Sequence, residues 1–528
     1  MRWMHPWTWH GSERMPSIDV ATGEPSWSAS IAPTRAEWSL LVAASAVALG
    51  LRLLRLDRSE LWFDEAFAAL VVMEPTRALL SELAGDTAPP LYFLLLRGWS
   101  LLLGADAWTL RLFSVLCGLL AVWATFVAAC RLWGARAGLA SAALMAVSPL
   151  HIHYSREVRP YALLIVFVLA SLMALEAMSR SRPASVAAYC GATAAATWTH
   201  NYGLFLLVVL GLWVLIRRVP AATAARAAGV VVAAYLPWLP VLVTQTTSGA
   251  TQWVERLWVG TPPALAPLLS LAGFCIGGHT PEYIRTGSDA VPVWLQTLAY
   301  AAFALLIGAA LVRRPVDDAR RIALVVGVLL AVPTALSFIT PIFLVGRHDV
   351  IALPLFLLLA GRGVALVRGG TAVSAWLLLM ALATTAVYRL HTLPIAQSSR
   401  RQAASLLQHA GPRDAVLATG FTRNGVEYLT RERGRTMAFH SFPPSLGAHR
   451  GWVDERELAD AALLRSDADR LTRALQETLT GDRLLWILHS RDLPRANALL
   501  LQRLERSFQQ VFCPGTAEDH GITCWRRR

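Results

Sequence analysis

The stretch SPLHIHYSREVRPYALLIVFVLA, Ser148–Ala170, joins two opposite chemistries without a linker. Its first half packs His151, His153, Tyr154, Arg156, Glu157, Arg159 and Tyr161 into one short turn, and its second half opens an apolar run that continues to residue 178. A run of that length suits a helix crossing hydrocarbon, which needs about 20 predominantly apolar residues. A turn between two such helices needs none of these polar and aromatic side chains, so the turn reads as a site. Arginine's planar donors suit a phosphate, and a charged headgroup at a membrane edge supplies one. The plainer alternative is that Glu157 neutralises one arginine while the other reaches the headgroups. His151 and His153 form an HxH pair, a pattern that metals use but that is weak evidence alone.

The same alternation governs the rest of the chain. Apolar runs fall at 38–56, 107–130, 136–150, 160–178, 185–199, 201–216, 227–244, 291–312, 321–340, 346–367 and 371–390. That predicts an α-helical polytopic membrane protein of about eleven spans. The composition agrees, with 55% hydrophobic and only 16% charged residues, against roughly 25% charged in a soluble protein. A net charge of +13 invites a nucleic-acid reading, but the arginines punctuate the ends of apolar runs and form no basic stripe, so no nucleic-acid partner is expected. All 48 basic residues are arginine, a bias that codon usage alone can produce.

Basic residues of short connections stay on the cytoplasmic side. With the N-terminal tail, 1–37, inside and disordered, every inside connection is basic: Arg131 and Arg136; Arg180 and Arg182; Arg217, Arg218 and Arg226; Arg313, Arg314, Arg320 and Arg321; Arg368. The outward face then receives two large loops, 57–106 and 245–290, the turns near 151–159, 199–202 and 341–348, and the segment 395–528. In that last segment DAVLAT and RLLWILHS read as buried strands, and RQAASLLQHA and RANALLLQRLERSF as helices, which predicts a small extracytoplasmic α/β domain. Cys513 and Cys524 are a candidate disulfide in an oxidising compartment, with two free thiols as the alternative.

Chemistry-bearing residues gather on that one face. SELWFDEAFAAL, Ser59–Leu70, sets Asp64 and Glu65 among Trp62, Phe63 and Phe67. An acidic pair among aromatic residues at a membrane surface is costly without a partner or a task. Asp64 is placed to accept a proton from an attacking hydroxyl, with Glu65 holding a neighbouring arginine; the plainer reading makes Asp64 a helix N-cap. WTHNYG supplies His200, Asn201 and Tyr202, and PIFLVGRHDVIALP supplies Arg347, His348 and Asp349. The segment Asp86–Gly104, with Pro89 and Pro90 ahead of a short apolar stretch containing Arg97, suits a helix lying in the interface. The loop 245–290, with Gln252, Trp253, Trp258, His279, Glu282 and Tyr283, reads as a lid or a passive connector.

Taken together, the acidic pair, the PPLY segment, the RLxSVLxGLLxVWxxF span, the SPxHIxYSxExRPYAL turn, the THxYG turn and the late arginine before LP resemble the GT-C membrane glycosyltransferases. Within them the chain is similar to the family 39 group, related to protein mannosyltransferases and to the lipid A aminoarabinose transferase. The resemblance spans roughly residues 39 to 390. It implies a GT-C fold and transfer of a sugar, with inversion, from a polyprenyl-phosphate donor to a lipid, glycan or protein acceptor. The reaction would face the periplasm or exterior of an inner or plasma membrane, with membrane lipids as further partners. By this likeness Asp64 and Glu65 are the catalytic pair. Arg156, Arg159 and Arg347 are candidates for the donor phosphate, and His151, His153, Tyr154, Glu157, Tyr161, His200, Tyr202 and His348 for substrate. Two departures stand out: Ala88 where relatives carry His before the prolines, and His348 where many carry Tyr. No cofactor and no essential metal are expected. A transporter or flippase is the main rival, but the charges sit at the outward ends of spans, and no broken helices occupy matching positions in two halves. A catalytically dead scaffold is the third reading, and it would tolerate loss of Asp64.

Overall fold

The computed structural model describes residues 33–178, 183–216, 218–247, 254, 263–277, 292–367, 370–392, 398–514 and 521–528. Every apolar run read from the sequence is occupied by helix: α1 (Arg35–Leu53) and, after a loop built from α2 (Phe63–Met73), α3 (Thr76–Gly85) and α4 (Leu91–Leu103), then α5 (Ala107–Trp133), α6 (Ala135–Val147), the short α7 (Pro149–Ser155), α8 (Tyr161–Met178), α9 (Pro183–Thr199), α10 (Phe205–Leu215), α11 (Ala221–Tyr235) and α12 (Leu239–Thr247). The series continues with α13 (Ala266–Ile276), α14 (Val293–Val312), α15 (Asp317–Ser337), α16 (Leu353–Leu366) and α17 (Gly370–Thr392). Among the described residues, six helices are by themselves long and apolar enough to cross a membrane, counting α11 and α12 as one span. Pro237 and Pro240 interrupt that span with a 3-10 turn at Leu236–Trp238, because proline cannot donate a helical hydrogen bond.

The bundle packs through small residues. A Cβ on Gly361 of α16 would lie 2.1 Å from Ser141 Oγ and 2.6 Å from Ser141 N on α6, and one on Gly363 would lie 2.2 Å from the Leu306 carbonyl of α14. Bare glycine lets the three helices approach to backbone contact, where dispersion takes over from a hydrophobic drive that lipid cannot supply.

Local chemistry accounts for α1 and for the elements between α1 and α5. Thr34 and Glu37 close a reciprocal capping box at the start of α1. Helix α2 is buried without interruption from Glu65 to Val72, the pattern of a helix surrounded on all sides. Its core partners include Tyr92 and Phe93 of α4, Leu110 of α5 and Tyr428. Helix α4 buries Tyr92, Phe93 and Leu96 and exposes Leu101, Leu102 and Leu103. Its Arg97 turns inward, donating to the carbonyls of Val72 (2.8 Å) and Glu74 at the negative end of α2.

Two expectations need revision. The turn around His151 is not a turn but the helix α7, so His151 and His153, two residues apart, point in different directions. The loop 245–290 is more than a lid or connector: α13 lies within it, burying Phe274, Cys275 and Ile276. Gln252, Trp253, Trp258, His279, Glu282 and Tyr283 lie outside the described residues, as do residues 1–32 and Arg180, Arg182, Arg217 and Arg368.

After the bundle, α18 (Ser398–His409) opens an α/β unit with α19 (Arg423–Glu432) and five strands: β1 (Ala415–Thr419), β2 (Ala438–Phe442), β3 (Leu485–Leu488), β4 (Phe508–Val511) and β5 (Ile522–Arg527). Their order is β2-β1-β3-β5-β4. The first three are parallel, and β5 runs antiparallel to both β3 and β4. Central β1 and β3 are buried at every position, as strands covered on both faces are. Cys513 and Cys524 form a disulfide with Cα atoms 5.1 Å apart, tying the end of β4 to β5.

Gly361→Val is expected to overpack the α6–α16 contact, at a cost of about 1–3 kcal/mol. Thermal melting of the detergent-purified protein checks this; an unchanged, monodisperse species with wild-type melting would contradict it.

Candidate active site

Helix α2 begins at Phe63 with Trp62 as N-cap, so Asp64 does not cap it. Glu65 does part of that work instead, its Oε2 accepting from the Trp62 N–H at 3.3 Å. The two carboxylates therefore leave the same turn with different partners.

Glu65 is almost fully buried and engaged on both oxygens. Arg111 Nε reaches Oε1 at 2.8 Å and Arg111 Nη2 reaches Oε2 at 2.5 Å, while the Val158 N–H also donates to Oε1 at 3.0 Å. The remaining Arg111 donors go to the carbonyls of Leu56 (2.8 Å), Ser59 (2.9 Å) and Glu60 (3.2 Å). This paired guanidinium joins α5, the loop before α2 and the turn before α8, and it makes Glu65 a positioning residue. In the sequence Arg111 is the residue that opens the RLxSVLxGLLxVWxxF span, with nothing there to name its partner.

Asp64 looks the other way. Its Oδ2 accepts from Arg347 Nη2 and lies 3.8 Å from Arg159 Nη2, beyond hydrogen-bond length. Its side chain stays 16% exposed, against 8–9% for the two arginines. Arg159 Nε is buried and has no hydrogen-bond partner among the described residues. Arg347 also donates from Nε to Tyr161 Oη at 2.6 Å and stacks over Trp62, 5.6 Å from its ring centre.

The backbone beneath Arg347 is held on both sides of Gly346. Gly346, with φ +73°, donates its N–H to Asp349 Oδ2 at 2.8 Å, and its carbonyl accepts from Tyr154 Oη. Aromatic rings continue the wall: Tyr154 to Tyr161 at 4.5 Å, Tyr161 to His200 at 5.7 Å, His200 to His348 at 5.7 Å and Tyr202 to His348 at 5.1 Å. The Ile342 carbonyl accepts from Tyr202 Oη (2.9 Å) and from His348 Nδ1 (2.6 Å).

The structure thus brings Asp64, Arg159, Arg347, Tyr154, Tyr161, His200, Tyr202 and His348 together. His153 instead faces Glu157, Nε2 to Oε1 at 3.2 Å. Arg156 turns to the carbonyls of Leu54 and Arg55 at 3.1 and 3.3 Å. His151 meets Arg52, a fully buried guanidinium that also donates to Ser155 Oγ and the carbonyls of Ala48 and Ala146. Those carbonyls and that imidazole occupy Arg52 as a structural tie at the C-terminal end of α6.

One acidic residue of the neighbourhood was not anticipated. Asp86 is buried in the segment between α3 and α4, near enough for the charges of His449, Arg159 and Asp64 to act on it. Burial pushes its carboxyl above the ordinary aspartate range, although His449 and Arg159 pull the other way.

Residues 87–243 match the family model for dolichyl-phosphate-mannose-protein mannosyltransferase; the segment contains Arg111, Arg159 and His200 but neither Asp64 nor Arg347. No curated protein matches the chain. ArnT from Cupriavidus metallidurans in its apo state is similar in structure, with a TM-score of 0.58 at 16% identity over 93% of this chain and 98% of that one. The same protein bound to undecaprenyl phosphate gives 0.57 at 14% identity with the same coverage. The archaeal oligosaccharyltransferase AglB from Archaeoglobus fulgidus, in complex with an inhibitory peptide and a dolichol-phosphate, gives 0.52 at 11% identity over 94% of this chain and 74% of that one. The chain is a multi-pass membrane protein with the GT-C glycosyltransferase fold.

Arg111→Ala would leave the Glu65 carboxylate buried and unpaired, a loss on the order of 3–5 kcal/mol. The variant is expected to melt well below wild type in detergent; equal melting would show that the pair does not hold α2.

Proposed function

We propose that this protein transfers a sugar from a polyprenyl-phosphate carrier to an envelope acceptor on the outward face of the plasma or inner membrane, with inversion at the anomeric carbon. The observation that carries the reading is the convergence of Arg159 and Arg347 on Asp64, with a buried Arg159 Nε that has no partner among the described residues. The structures of ArnT with undecaprenyl phosphate and of AglB with dolichol-phosphate lend the carrier class. The Cys513–Cys524 disulfide supports an oxidising, outward location for the C-terminal unit.

The chemistry follows from charge. Without donor, Asp64 offsets part of the charge of the two guanidiniums. A phosphate entering between them takes over that role and frees the carboxylate. Asp64 then accepts the proton of the acceptor hydroxyl. The hydroxyl oxygen bonds to the anomeric carbon, and the bond from that carbon to the phosphate oxygen breaks, its electron pair leaving with the polyprenyl phosphate. Charge builds on the leaving phosphate as that bond lengthens, and Arg159 and Arg347 stand ready to stabilise it. Tyr161, His200, Tyr202 and His348 wall the space beside Arg347 and would contact the sugar, while Glu65 and Arg111 fix α2. The acceptor is a lipid, a glycan or a protein bearing a free hydroxyl, and no step calls for a metal.

Cells lacking this protein, complemented with wild type or Asp64→Asn, test the reading by mass spectrometry of envelope lipids, polysaccharides and exported proteins. One glycan should lose a single sugar that wild type restores and Asp64→Asn, made in equal amount, does not. Restoration by both would remove Asp64 as the base.

A further inference from the structure

Arg362 is a buried cation in a part of the bundle far from Asp64. It lies on α16 between Gly361, packed against Ser141 of α6, and Gly363, packed against the Leu306 carbonyl of α14. Successive residues of a helix stand about 100° apart, so a side chain set between two such close contacts is led into the crevice where the neighbouring helices part. Arg362 is accordingly only 3% exposed. Its guanidinium reaches the connection between α14 and α15, where Nη2 donates to the Arg313 carbonyl at 3.2 Å and to the Pro315 carbonyl. It also stacks over the Trp133 ring at the end of α5, 5.1 Å from the ring centre.

Three donors of this cluster are left over. Arg362 Nε, Arg362 Nη1 and Trp133 Nε1 are buried, and none has a hydrogen-bond partner among the described residues. Of the two acids that open α15, Asp318 is paired with Arg321 and Asp317 is exposed, and neither forms an ion pair with Arg362. A buried guanidinium with two idle nitrogens is costly. Donors on a cation with no acid beside them call for a ligand that only accepts and carries negative charge. Arg313 and Arg314, both exposed, add positive charge at the rim, and Arg313 Nη1 donates to the Leu366 carbonyl at 2.8 Å.

The depth of the cluster says which anion it meets. Arg111, which holds Glu65 beside Asp64, shares α5 with Trp133, and a rise of about 1.5 Å per residue puts the two about 33 Å apart along the axis. That is close to the hydrocarbon thickness of a bilayer, about 30 Å, so the cluster lies at headgroup depth on the face opposite the active site. Leu305 and Val312, two turns apart on one face of α14, are exposed and lead to Arg313, which gives apolar chains a surface beside it. We propose that Arg362 and Trp133, with Arg313 at the rim, bind the phosphate of an anionic phospholipid on that face. The phosphate oxygens accept from the idle Arg362 nitrogens and from Trp133 Nε1, Arg313 turns to them from the Leu366 carbonyl, and the acyl chains lie along α14. Guanidinium suits phosphate, and basic pockets between spans are where such headgroups dock. The site is independent of the transfer reaction proposed above.

Native mass spectrometry of the full-length protein in detergent, titrated with dioleoylphosphatidylglycerol, tests this, with melting of each variant as a folding control. Trp133→Phe keeps a ring beneath the guanidinium and removes only the N–H. It should weaken binding of one lipid by about tenfold, the scale of one hydrogen bond to a charged group. Arg362→Gln should weaken the same lipid by at least about tenfold; because it also gives up the ties to Arg313 and Pro315, Trp133→Phe is the variant that decides if Arg362→Gln fails to fold. Dioleoylphosphatidylcholine should bind about fivefold more weakly, the scale of one basic residue at an anionic surface, and inorganic phosphate at equal concentration should not compete. Wild-type affinity in Trp133→Phe, or in a folded Arg362→Gln, would overturn the site. Equal binding of phosphatidylcholine would overturn its preference for an anionic lipid, and competition by inorganic phosphate would overturn the lipid source. Loss of the same lipid in Arg159→Ala would place it at the catalytic end of the bundle and likewise overturn the proposal.

Discussion

A carboxylate facing two guanidiniums at one end of a helical bundle is the constraint around which the neighbouring structure is organised. Neither sign of charge is tolerable there alone, since ions taken from water without partners cost far more than most folds have to spare. Asp64 and Arg347 meet from α2 and from the 3-10 turn at His348–Ile351, elements far apart in sequence. Each is secured separately. Glu65 and Arg111 fix α2 to α5 and to the turn before α8, and the Gly346 backbone is gripped by Asp349 and Tyr154. The pair is therefore presented by rigid supports, the requirement for electrostatic groups that must act on a developing charge.

Arginine also explains how the bundle ends its helices. Arg52 lies at the C-terminal carbonyls of α6 and Arg97 at those of α2, while Arg111 gathers the carbonyls of the loop before α2. In each case a forked cation meets several acceptors where a helix or loop turns away from hydrocarbon. Lysine, a point charge on a flexible stem, could not bridge such a set in one geometry. Whatever drove the chain to carry only arginine, the structure uses the fork.

The spans were legible because a bilayer imposes length and apolarity on local sequence, and each apolar run became a helix. The helix α4 and the strands β1 and β3 were legible for similar reasons, being continuous apolar patterns. Edge strands β2 and β4, partly exposed, have no such pattern and were missed. At the site, Asp64, Arg159, Arg347, Tyr161, His200, Tyr202 and His348 stood out as polar groups where the membrane should exclude them. The sequence could not tell which arginine meets which acid, because that depends on helix packing; Arg156 and His151 share a motif with Arg159 yet point elsewhere. Asp86 and His449 escaped for the same reason, since only the docking of the C-terminal unit brings them together.

On the proposed mechanism the Asp64–Arg347 pair holds the place of a substrate phosphate. The decisive measurement is a structure of the protein with undecaprenyl phosphate bound. The phosphate should lie between Arg159 and Arg347, with Asp64 released from Arg347 and turned toward solvent. A phosphate seated elsewhere, with the Asp64–Arg347 pair intact, would contradict it.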